Sequence, residues 1–460
     1  MTADVAALLR AELGDRVDTS DSARAQAQID KSGLGTGHPP LAVVHAASIS
    51  DVQHTLRVAH RTGTPVVTRG AGTGLAGGAT AGQGEIALSL LAMNRILEIR
   101  PDDLLAVVEP GVINGNLDAA LREHGLWWPP DPASRNISTV GGNIASGAGG
   151  LLCAKYGVVR DAVLAVDVVL ADGTLVHFGH RTVKGVTGMD LTSLMIGSEG
   201  TLGVIVGATV KLRRVVPGEL CTIVATFPNV RQAARGSSAV TAAGIQPAIM
   251  ELLDADALQI IHDHLRLDPP QRGTAQLTIQ TDGAAAAAEA ESIARILGAG
   301  GGQVQVTTDR EHGEKLLHLR RSMHAAVAAL GTCLIEDVSV PRSELAAMFD
   351  EIERISARYR IRIPTVAHAG DGNLHPNLVV PPGHAAGDIP DTVWAAADEM
   401  FRAALRLGGT LTGEHGVGVL KRRWLTDELG QAQWQLQRQI AAVFDPTGIL
   451  NPGKVFDPTG

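Results

Sequence analysis

The sequence predicts an α+β fold whose two main domains differ in pattern. Up to about residue 216, short strand-like runs are separated by glycine-rich stretches and few helices. From Cys221 to about residue 380, strand-like and helix-like segments alternate, which is typical of one sheet covered by helices. A chain of 460 residues can hold two or three domains. We predict an N-terminal helical segment (1–36), a first domain (37–216), a second domain (217–410) and a C-terminal segment (411–460).

The composition excludes several classes of protein. The net charge is −9, the pI is near 6.0 and no basic tract is present, which argues against nucleic acid as a partner. The three cysteines are far apart and form no CxxC pair, which indicates a reducing compartment and no disulfide framework. The N-terminus does not resemble a signal peptide, and no apolar run approaches the ~18 residues of a membrane span. We expect a cytoplasmic protein without a membrane span, with peripheral membrane association left open.

A helix and a short strand lead into the first glycine-rich stretch. Residues 50–63 read as a helix that Ser50 caps and Gly63 closes, and residues 65–68 read as a strand. The stretch that follows, RGAGTGLAGG at 69–78, contains a match to the GxGxxG pattern of dinucleotide-binding turns. That pattern requires a helix directly after the turn, whereas ATAGQGE and a strand-like run follow here. We therefore reject the dinucleotide-binding interpretation.

The second glycine-rich stretch, at 129–150, reads PPDPASRNISTVGGNIASGAGG, and five of its last twelve residues are glycine. Glycine permits close approach of the backbone to a ligand, and successive N–H groups can surround an anion. Two such stretches predict a long, diphosphate-containing ligand held from two sides. The alternative is a pair of flexible linkers, but linkers favour serine and charge, and these stretches are flanked by apolar runs.

The remaining elements are predicted from hydrophobic pattern and turn signals. Asp172-Gly173 lies between two β-rich arms and predicts a hairpin, and a strand over 204–212 ends the first domain. In the second domain, strands alternate with helices over 230–243, 254–265, 284–297, 310–329 and 344–358. A helix over 391–407 precedes the last glycine-rich segment, GTLTGEHGVG.

Two short histidine-containing segments predict a metal site. His368 to His375 reads HAGDGNLH, and Glu414-His415 lies in GEHG, and we predict both as loops. Together they offer three imidazoles and a carboxylate, which is a ligand set for Zn²⁺ or a similar ion. Taken singly, each histidine is more often a core or surface residue.

The predicted helix over 310–329 carries two adjacent arginines, Arg320 and Arg321. Adjacent helical residues point about 100° apart, so at most one of the two faces a given pocket. Exposed arginine is the usual interpretation, whereas an arginine that faces a cleft would bind a carboxylate bidentately.

Eight motifs occur in the order typical of one family: PVVTRGAGTGLAGG, the stretch 129–150, KYGVVRDAVLAVDVVLADG, GSEGTLGVI, EDVSVP, HAGDGNLHPN, GEHGVG and DPTGILNPGK. From about residue 38 to Phe456 the chain resembles the FAD-linked oxidases of the vanillyl-alcohol oxidase superfamily. It is similar to the branch of D-lactate dehydrogenases, glycolate oxidase large subunits and D-2-hydroxyglutarate dehydrogenases. The resemblance implies an FAD-binding domain of the p-cresol methylhydroxylase (PCMH) type with two α+β subdomains. It also implies an α/β substrate (cap) domain with an antiparallel sheet covered by helices, and a C-terminal helical segment that returns to the flavin.

The resemblance also implies the residues of the site. Contacts to FAD would come from both glycine-rich stretches, the start of one strand and the C-terminal segment: Arg69, Gly70, Ala71, Gly72, Thr73, Leu75, Pro130, Asp131, Thr139, Gly142, Asn143, Ser146, Gly149, Gly203, Val204, Ile205, Glu414 and Asn451. The metal ligands would be His368, His375 and Glu414, with His415 as catalytic base. Arg320 would bind the substrate carboxylate during catalysis, and His324 and Asn377 would contact the substrate. His324 would lie one turn after Arg320 on the same helix face.

By this resemblance the protein transfers hydride from Cα of a D-2-hydroxy acid to flavin N5, giving the 2-oxo acid. The metal would be Zn²⁺ or, alternatively, Mn²⁺, and electrons would pass to a quinone, a cytochrome or an electron-transfer flavoprotein. Thr73 stands where flavinylated relatives carry a histidine, so we expect non-covalent FAD. Ile335 and Glu336 stand where the 2-hydroxyglutarate branch tends to place a lysine, which favours a D-lactate-like monoacid. Glycolate and D-2-hydroxyglutarate are the alternative substrates, and a homodimer is a further expectation.

Two rival interpretations come from other classes. A metal-dependent hydrolase with structural glycine loops would be a colourless protein. A non-catalytic flavin-binding subunit would be yellow, and 2-hydroxy acids would not bleach it.

Overall fold

The computed structural model describes residues 4–384 and 388–456, which divide into two units. The first unit contains the chain up to Gly149, Gly157–Val215 and the chain from Glu414 onward. The second unit contains Gly150–Tyr156 and Val216–Gly413. The chain therefore leaves the first unit twice and returns to it twice.

The first sheet of the first unit has four strands in the described part of the chain. Their spatial order is Val17–Asp18, Ala42–His45, Ile86–Ser89 and Val66–Arg69. The last three are parallel, which requires crossover connections such as the helix Ile49–Thr62. The helices Val5–Leu13 and Asp21–Ala27 precede this arrangement. Leu9, Val52 and Leu56 pack with the sheet residues Val44 and Leu88 in one apolar core.

The helix Ile49–Thr62 begins before the predicted Ser50. Ser48 is the N-cap: its backbone is extended and its side-chain oxygen accepts a hydrogen bond from the backbone N of Asp51 at 3.2 Å. The prediction of Ser50 as the cap was wrong because two serines satisfy the capping preference and only backbone geometry separates them. Gly63 closes the helix in the left-handed conformation, as predicted.

The second sheet of the first unit is antiparallel. Its described strands follow the spatial order Ile96–Arg100, Leu105–Val108, Val204–Lys211, Val163–Val169 and Leu175–Gly179. The predicted hairpin at Asp172-Gly173 joins the last two strands and is confirmed. A short pair of strands, Leu126–Trp127 and Arg213–Arg214, lies apart from this sheet. The unit's further helices are Asn114–Arg122, Val140–Ser146, Leu191–Met195 and Leu425–Phe444, the last interrupted at Gly430.

The second unit is built on one antiparallel sheet of eight strands among the described residues. Seven follow the order Gln303–Thr307, Glu219–Phe227, Ala275–Gly283, Ile249–Leu253, Thr365–His368, Asn373–Val379 and Cys333–Ile335, and Val338–Ser339 also pairs with Asn373–Val379. The helices are Cys153–Tyr156, Val230–Ala242, Ala255–Leu265, Ala286–Ala299, Arg310–Arg321, Met323–Ala328, Leu345–Tyr359 and Asp391–Arg406. Leu258, Ile261 and Met323 pack with the strand residues Leu253 and Val366, so helices cover the sheet as predicted.

The single helix predicted over 310–329 is wrong, because two helices meet at Ser322. The hydroxyl of Ser322 donates to the backbone oxygen of His318 at 2.8 Å, a local bond that competes with helical pairing and bends helices. His324 therefore lies on the second helix, where it is exposed. The interpretation that His324 and Arg320 share one helix face does not hold.

The segment CLIEDVSV, at 333–340, forms two short strands that are separated by two acidic residues. Cys333–Ile335 and Val338–Ser339 both pair with Asn373–Val379, and Glu336 and Asp337 lie between them, fully buried. Among the residues that the structure describes, no helix combines the length and the apolar character required to cross a bilayer.

Candidate functional site

The two glycine-rich stretches meet inside the first unit. A side chain at Gly70 would collide with the hydroxyl of Thr139, so only glycine allows this close approach. The same hydroxyl accepts a hydrogen bond from the backbone N of Gly142 at 3.1 Å and caps the helix Val140–Ser146. The structure thus brings Gly70 of the first stretch against Thr139 of the second, as the prediction of a ligand held from two sides requires.

The first stretch is a loop held by its own arginine. No helix lies between Gly70 and the strand Ile86–Ser89, in agreement with the rejection of a dinucleotide-binding turn. Arg69 Nη1 donates to the backbone oxygens of Ile29 and Ala79, each at 2.9 Å. Burial lowers the pKa of Arg69, and the nearby carboxylate of Asp30 opposes this effect. Because Nη1 already donates to these two backbone oxygens, a diphosphate would contact the loop backbone and the remaining guanidinium nitrogens.

Several buried polar atoms near these stretches lack hydrogen-bond partners in the described part of the first unit. They include Asn143 Nδ2, Asn451 Oδ1 and the hydroxyls of Ser138 and Ser198. A buried polar atom without a partner costs about 1–3 kcal/mol. The other amide atom of Asn451 donates to the backbone oxygen of Gly78 at 3.0 Å, at the end of the first stretch. These donors and acceptors fit a polar group such as a flavin, and Asn143 and Asn451 are among the predicted contacts.

The side chains of several other predicted cofactor contacts are hydrogen-bonded within the protein or packed in its apolar cores. Ser146 donates its hydroxyl to the backbone oxygen of Gly142 at 3.0 Å. Val204 and Ile205 pack into the apolar cores of the first unit, so only their backbone could meet a ligand. Ala71, Gly72, Thr73, Leu75 and Asp131 are partly exposed, whereas Pro130, Gly149 and Gly203 are buried.

Glu199, which was not predicted from the sequence, binds the end of the last glycine-rich segment within the first unit. Its carboxylate accepts hydrogen bonds from the backbone N–H groups of Val417 at 2.7 Å and Gly418 at 2.8 Å. Burial raises the pKa of Glu199 to about 7, although these two hydrogen bonds act to lower it. The signal available in the sequence was a single charged residue inside the tight turn GSEGTLG.

Glu414 and His415 lie in the same segment, shortly before Val417 and Gly418. The Glu414 carboxylate lies 2.5 Å from the position that a Cβ at Gly149 would take, so it faces the second glycine-rich stretch. His415 Nε2 lies 3.9 Å from Glu414 Oε1. Both predicted functional residues are therefore adjacent to the predicted flavin contacts of the first unit.

In the second unit, His368 and His375 lie on strands rather than on a loop. His368 ends the strand Thr365–His368, and His375 lies inside Asn373–Val379, so the prediction of a loop for both was wrong. His375 pairs with Val366, two residues before His368, which places both imidazoles on one face of the sheet. The buried rings are 5.0 Å apart between centroids and nearly perpendicular.

Glu251 joins His368 to Arg320, and it too was missed. Its Oε1 lies 2.7 Å from His368 Nδ1, and its Oε2 accepts a hydrogen bond from Arg320 Nε at 2.6 Å. Burial alone would raise the pKa of Glu251, but His368 and Arg320 lower it below its usual value. The available signal was one acidic residue inside the otherwise apolar strand AIMELL.

The two adjacent arginines have different environments. Arg320 is mostly buried, with 12% of its side chain exposed, and it pairs with the buried Glu251. Arg321 is exposed and pairs with Glu314 at 2.8 Å. Of the two, Arg320 is therefore the one whose side chain is held inside the second unit. Asn377 donates its amide to the backbone oxygens of Pro364 and His375, so a ligand would meet its side-chain oxygen.

The donor set of the second unit fits a divalent metal ion such as Zn²⁺ or Mn²⁺. Two imidazoles share one face, and the buried carboxylate of Asp337 lies 4.0 Å from His375 Nδ1. Imidazole and carboxylate are the ligands that these ions take in proteins. Glu414 belongs to the first unit, so the complete set of His368, His375 and Glu414 stays a prediction.

The comparison with known proteins gives the same assignment for both halves of the chain. Residues 40–179 match the family described as "FAD binding domain", and residues 216–455 match "FAD linked oxidases, C-terminal domain". The glycolate oxidase subunit GlcD of Bacillus subtilis is 41% identical over 91% of this chain and 89% of its own. The probable mitochondrial D-lactate dehydrogenase of Danio rerio is 33% identical over 99% of this chain and 92% of its own.

The solved structure of p-cresol methylhydroxylase with substrate bound has the same fold. It matches with a TM-score of 0.79 over 99% of this chain and 97% of that one, at 17% identity. This likeness confirms the predicted α+β fold of the PCMH type.

Proposed function

Because this chain belongs to the FAD-linked oxidases and its first unit binds FAD, we propose that it oxidises a small 2-hydroxy acid to the 2-oxo acid. The observation that carries this proposal is the buried group of Arg320, Glu251 and His368 in the second unit. It offers a cation for a carboxylate beside an imidazole. The names of the two relatives refer to glycolate and D-lactate, which are both small 2-hydroxy acids.

Arg320 would bind the carboxylate of the substrate. Glu251 takes its Nε, so the two terminal nitrogens are the ones that would form a bidentate pair with that carboxylate. Asn377 would contribute an acceptor through its side-chain oxygen. This combination would fix the orientation of the acid before reaction.

His415 would accept the proton of the substrate hydroxyl. Imidazole titrates near neutral pH, which suits a general base. Glu414 Oε1, at 3.9 Å from His415 Nε2, would stabilise the resulting imidazolium. When bound, FAD supplies an acceptor for the hydride from Cα. A metal held by His368, His375 and Glu414 would supply a Lewis acid that lowers the pKa of the hydroxyl.

Anaerobic mixing with a panel of acids tests this function. We expect D-lactate, D-2-hydroxybutyrate or glycolate to bleach the visible flavin bands of the purified protein, with the corresponding 2-oxo acid formed in equal amount. L-2-hydroxy acids serve as the stereochemical control. A yellow protein that no 2-hydroxy acid bleaches would favour the non-catalytic flavin-binding subunit instead.

Within this class we predict a preference for a monoacid over D-2-hydroxyglutarate. A second carboxylate needs a cation, because a buried unpaired charge is costly. The segment where the 2-hydroxyglutarate branch tends to place a lysine carries Ile335 and the fully buried Glu336. We expect kcat/KM for D-lactate or D-2-hydroxybutyrate to exceed that for D-2-hydroxyglutarate at least ~10-fold, the effect of one lost charged hydrogen bond. A clear advantage for the glutarate would mean that another cation binds the distal carboxylate.

We also predict that the FAD is tightly but not covalently bound. Thr73, a partly exposed residue of the first glycine-rich stretch, offers no imidazole to which the flavin could be attached. Acid precipitation should therefore release the yellow colour into the supernatant. Colour that stays in the precipitate would show a covalent link elsewhere. The electrons are proposed to pass on to a quinone, a cytochrome or an electron-transfer flavoprotein.

A further inference from the structure

We propose that Glu251 is a positioning residue that orients the metal-binding histidine and the substrate-binding arginine together. It is the shared hydrogen-bond acceptor of His368 Nδ1 and Arg320 Nε within the second unit. This inference rests on the proposed function, because it assigns His368 to a metal ion and Arg320 to a carboxylate.

The position of Glu251 is unfavourable for a charged side chain that lacks hydrogen-bond partners. It lies in the middle of the strand Ile249–Leu253, between the buried apolar residues Met250 and Leu252. Only 1% of its side chain is exposed. A carboxylate in such surroundings destabilises a fold unless both of its oxygens are paired. Here each oxygen has one charged or polar partner, at 2.7 Å and 2.6 Å.

The backbone of the sheet fixes the contact with His368. The strands Ile249–Leu253 and Thr365–His368 are antiparallel, and Glu251 and His368 are direct cross-strand partners. Side chains of direct partners on one face lie about 5 Å apart at Cβ, which suits a carboxylate–imidazole hydrogen bond. The pair is thus determined by strand register and does not depend on a flexible loop.

The hydrogen bond decides which nitrogen of His368 can bind a metal. An ionised carboxylate only accepts, so His368 must carry its proton on Nδ1. The lone pair is then on Nε2, which is the arrangement found where a carboxylate supports a histidine ligand.

The other oxygen of Glu251 acts on Arg320 in the same way. By accepting from Nε it holds the plane of the guanidinium and leaves the terminal nitrogens for the substrate. Because one rigid carboxylate serves both groups, displacement of either is transmitted to the other. Metal binding and carboxylate binding should therefore be energetically coupled, each strengthening the other.

The substitution Glu251→Gln tests this role. An amide offers one acceptor and one donor, so its NH₂ must face either Arg320 Nε–H or His368 Nδ1–H, both donors in the present arrangement. One contact is lost, or His368 moves its proton to Nε2. We expect the Kd for Zn²⁺ or Mn²⁺, measured on metal-stripped holoprotein, to rise roughly 10–100-fold, as for other residues that support a metal ligand. We expect KM for the 2-hydroxy acid to rise by about 10-fold or more.

Asp254→Asn is the matched control. Asp254 follows the same strand, is a partly buried carboxylate, and accepts hydrogen bonds from the backbone N of Ala257 and Thr365 at 2.7 Å and 2.9 Å. Its substitution should leave metal affinity and KM unchanged, and the flavin spectrum should be that of the native protein in both variants. Metal affinity and KM of Glu251→Gln that both stay within about threefold of the native values would overturn the proposal.

A measurement on the native chain keeps the test independent of whether Glu251→Gln folds. Nitrogen NMR of histidine-labelled, metal-stripped holoprotein, with His368 assigned through His368→Asn, should show its proton on Nδ1. A proton on Nε2 would overturn the proposal. This result, like the metal affinities, does not require turnover. It therefore decides the role of Glu251 even if no 2-hydroxy acid proves to be a substrate, in which case only the proposed function fails.

Discussion

Replacement of Arg320 by methionine will lower kcat/KM at least ~100-fold and will also destabilise the protein, whereas Arg321→Met will do neither. The loss in kcat/KM follows from removal of a charged bidentate partner, worth about 2–5 kcal/mol in a buried setting. The loss in stability follows because Glu251 keeps a buried charge without its arginine, which costs about 3–5 kcal/mol. Arg321 and Glu314 are both about half exposed, and such pairs contribute about 0–1 kcal/mol.

The two effects of Arg320→Met can be separated by a double variant. Adding Glu251→Gln removes the uncompensated charge, so the free energy of unfolding should recover in part while kcat/KM stays low. Urea unfolding and steady-state kinetics on the same preparations provide both quantities. Equal kinetic losses in Arg320→Met and Arg321→Met would contradict the assignment of the substrate carboxylate to Arg320.

The second large effect is expected at His375. His375→Ala should lower turnover at least ~100-fold, because it removes a predicted ligand of the ion that activates the substrate hydroxyl. Chelation of the native protein should have the same effect. The visible flavin spectrum should not change, because His375 is not among the predicted contacts to FAD.

The control for His375 is His177, an exposed residue of the strand Leu175–Gly179 that pairs with Asp167. His177→Ala should keep native turnover. Elemental analysis of active protein provides the decisive number: the absence of a stoichiometric divalent metal would disprove the assignment of His368, His375 and Glu414 as ligands.

Much of the flavin-binding half could be predicted because its signals are local. A position that must be glycine because another residue approaches it closely, such as Gly70 against Thr139, can be recognised in the sequence itself. The hairpin at Asp172-Gly173 is also encoded by two adjacent residues. The choice between Ser48 and Ser50 as helix cap could not be predicted, since both residues satisfy the same local preference.

The second unit was harder to predict because its site depends on strand pairing. HAGDGNLH consists largely of small and polar residues, so it lacks the alternation of apolar and polar residues that would predict strands. The strand register that places His368 and His375 on one face is therefore not visible in the sequence. The partners of Glu251 are 69 and 117 positions away along the chain, so no local pattern could connect them. The break at Ser322 depends on one side-chain hydrogen bond, which propensity alone does not indicate.

The path of the chain through the two units has a consequence for biosynthesis. The backbone N of Val66 donates to the backbone oxygen of Ile449 at 2.7 Å, and Asn451 N donates to the backbone oxygen of Val66 at 2.8 Å, so the first sheet is completed by residues made long after its own strands. The carboxylate of Glu199 likewise gains its two backbone hydrogen bonds only after Val417 and Gly418 have been made. The second unit contains no residue beyond Gly413, so all of its residues leave the ribosome before the first unit is complete. The unit that begins later in the sequence is therefore the first that can reach its native structure.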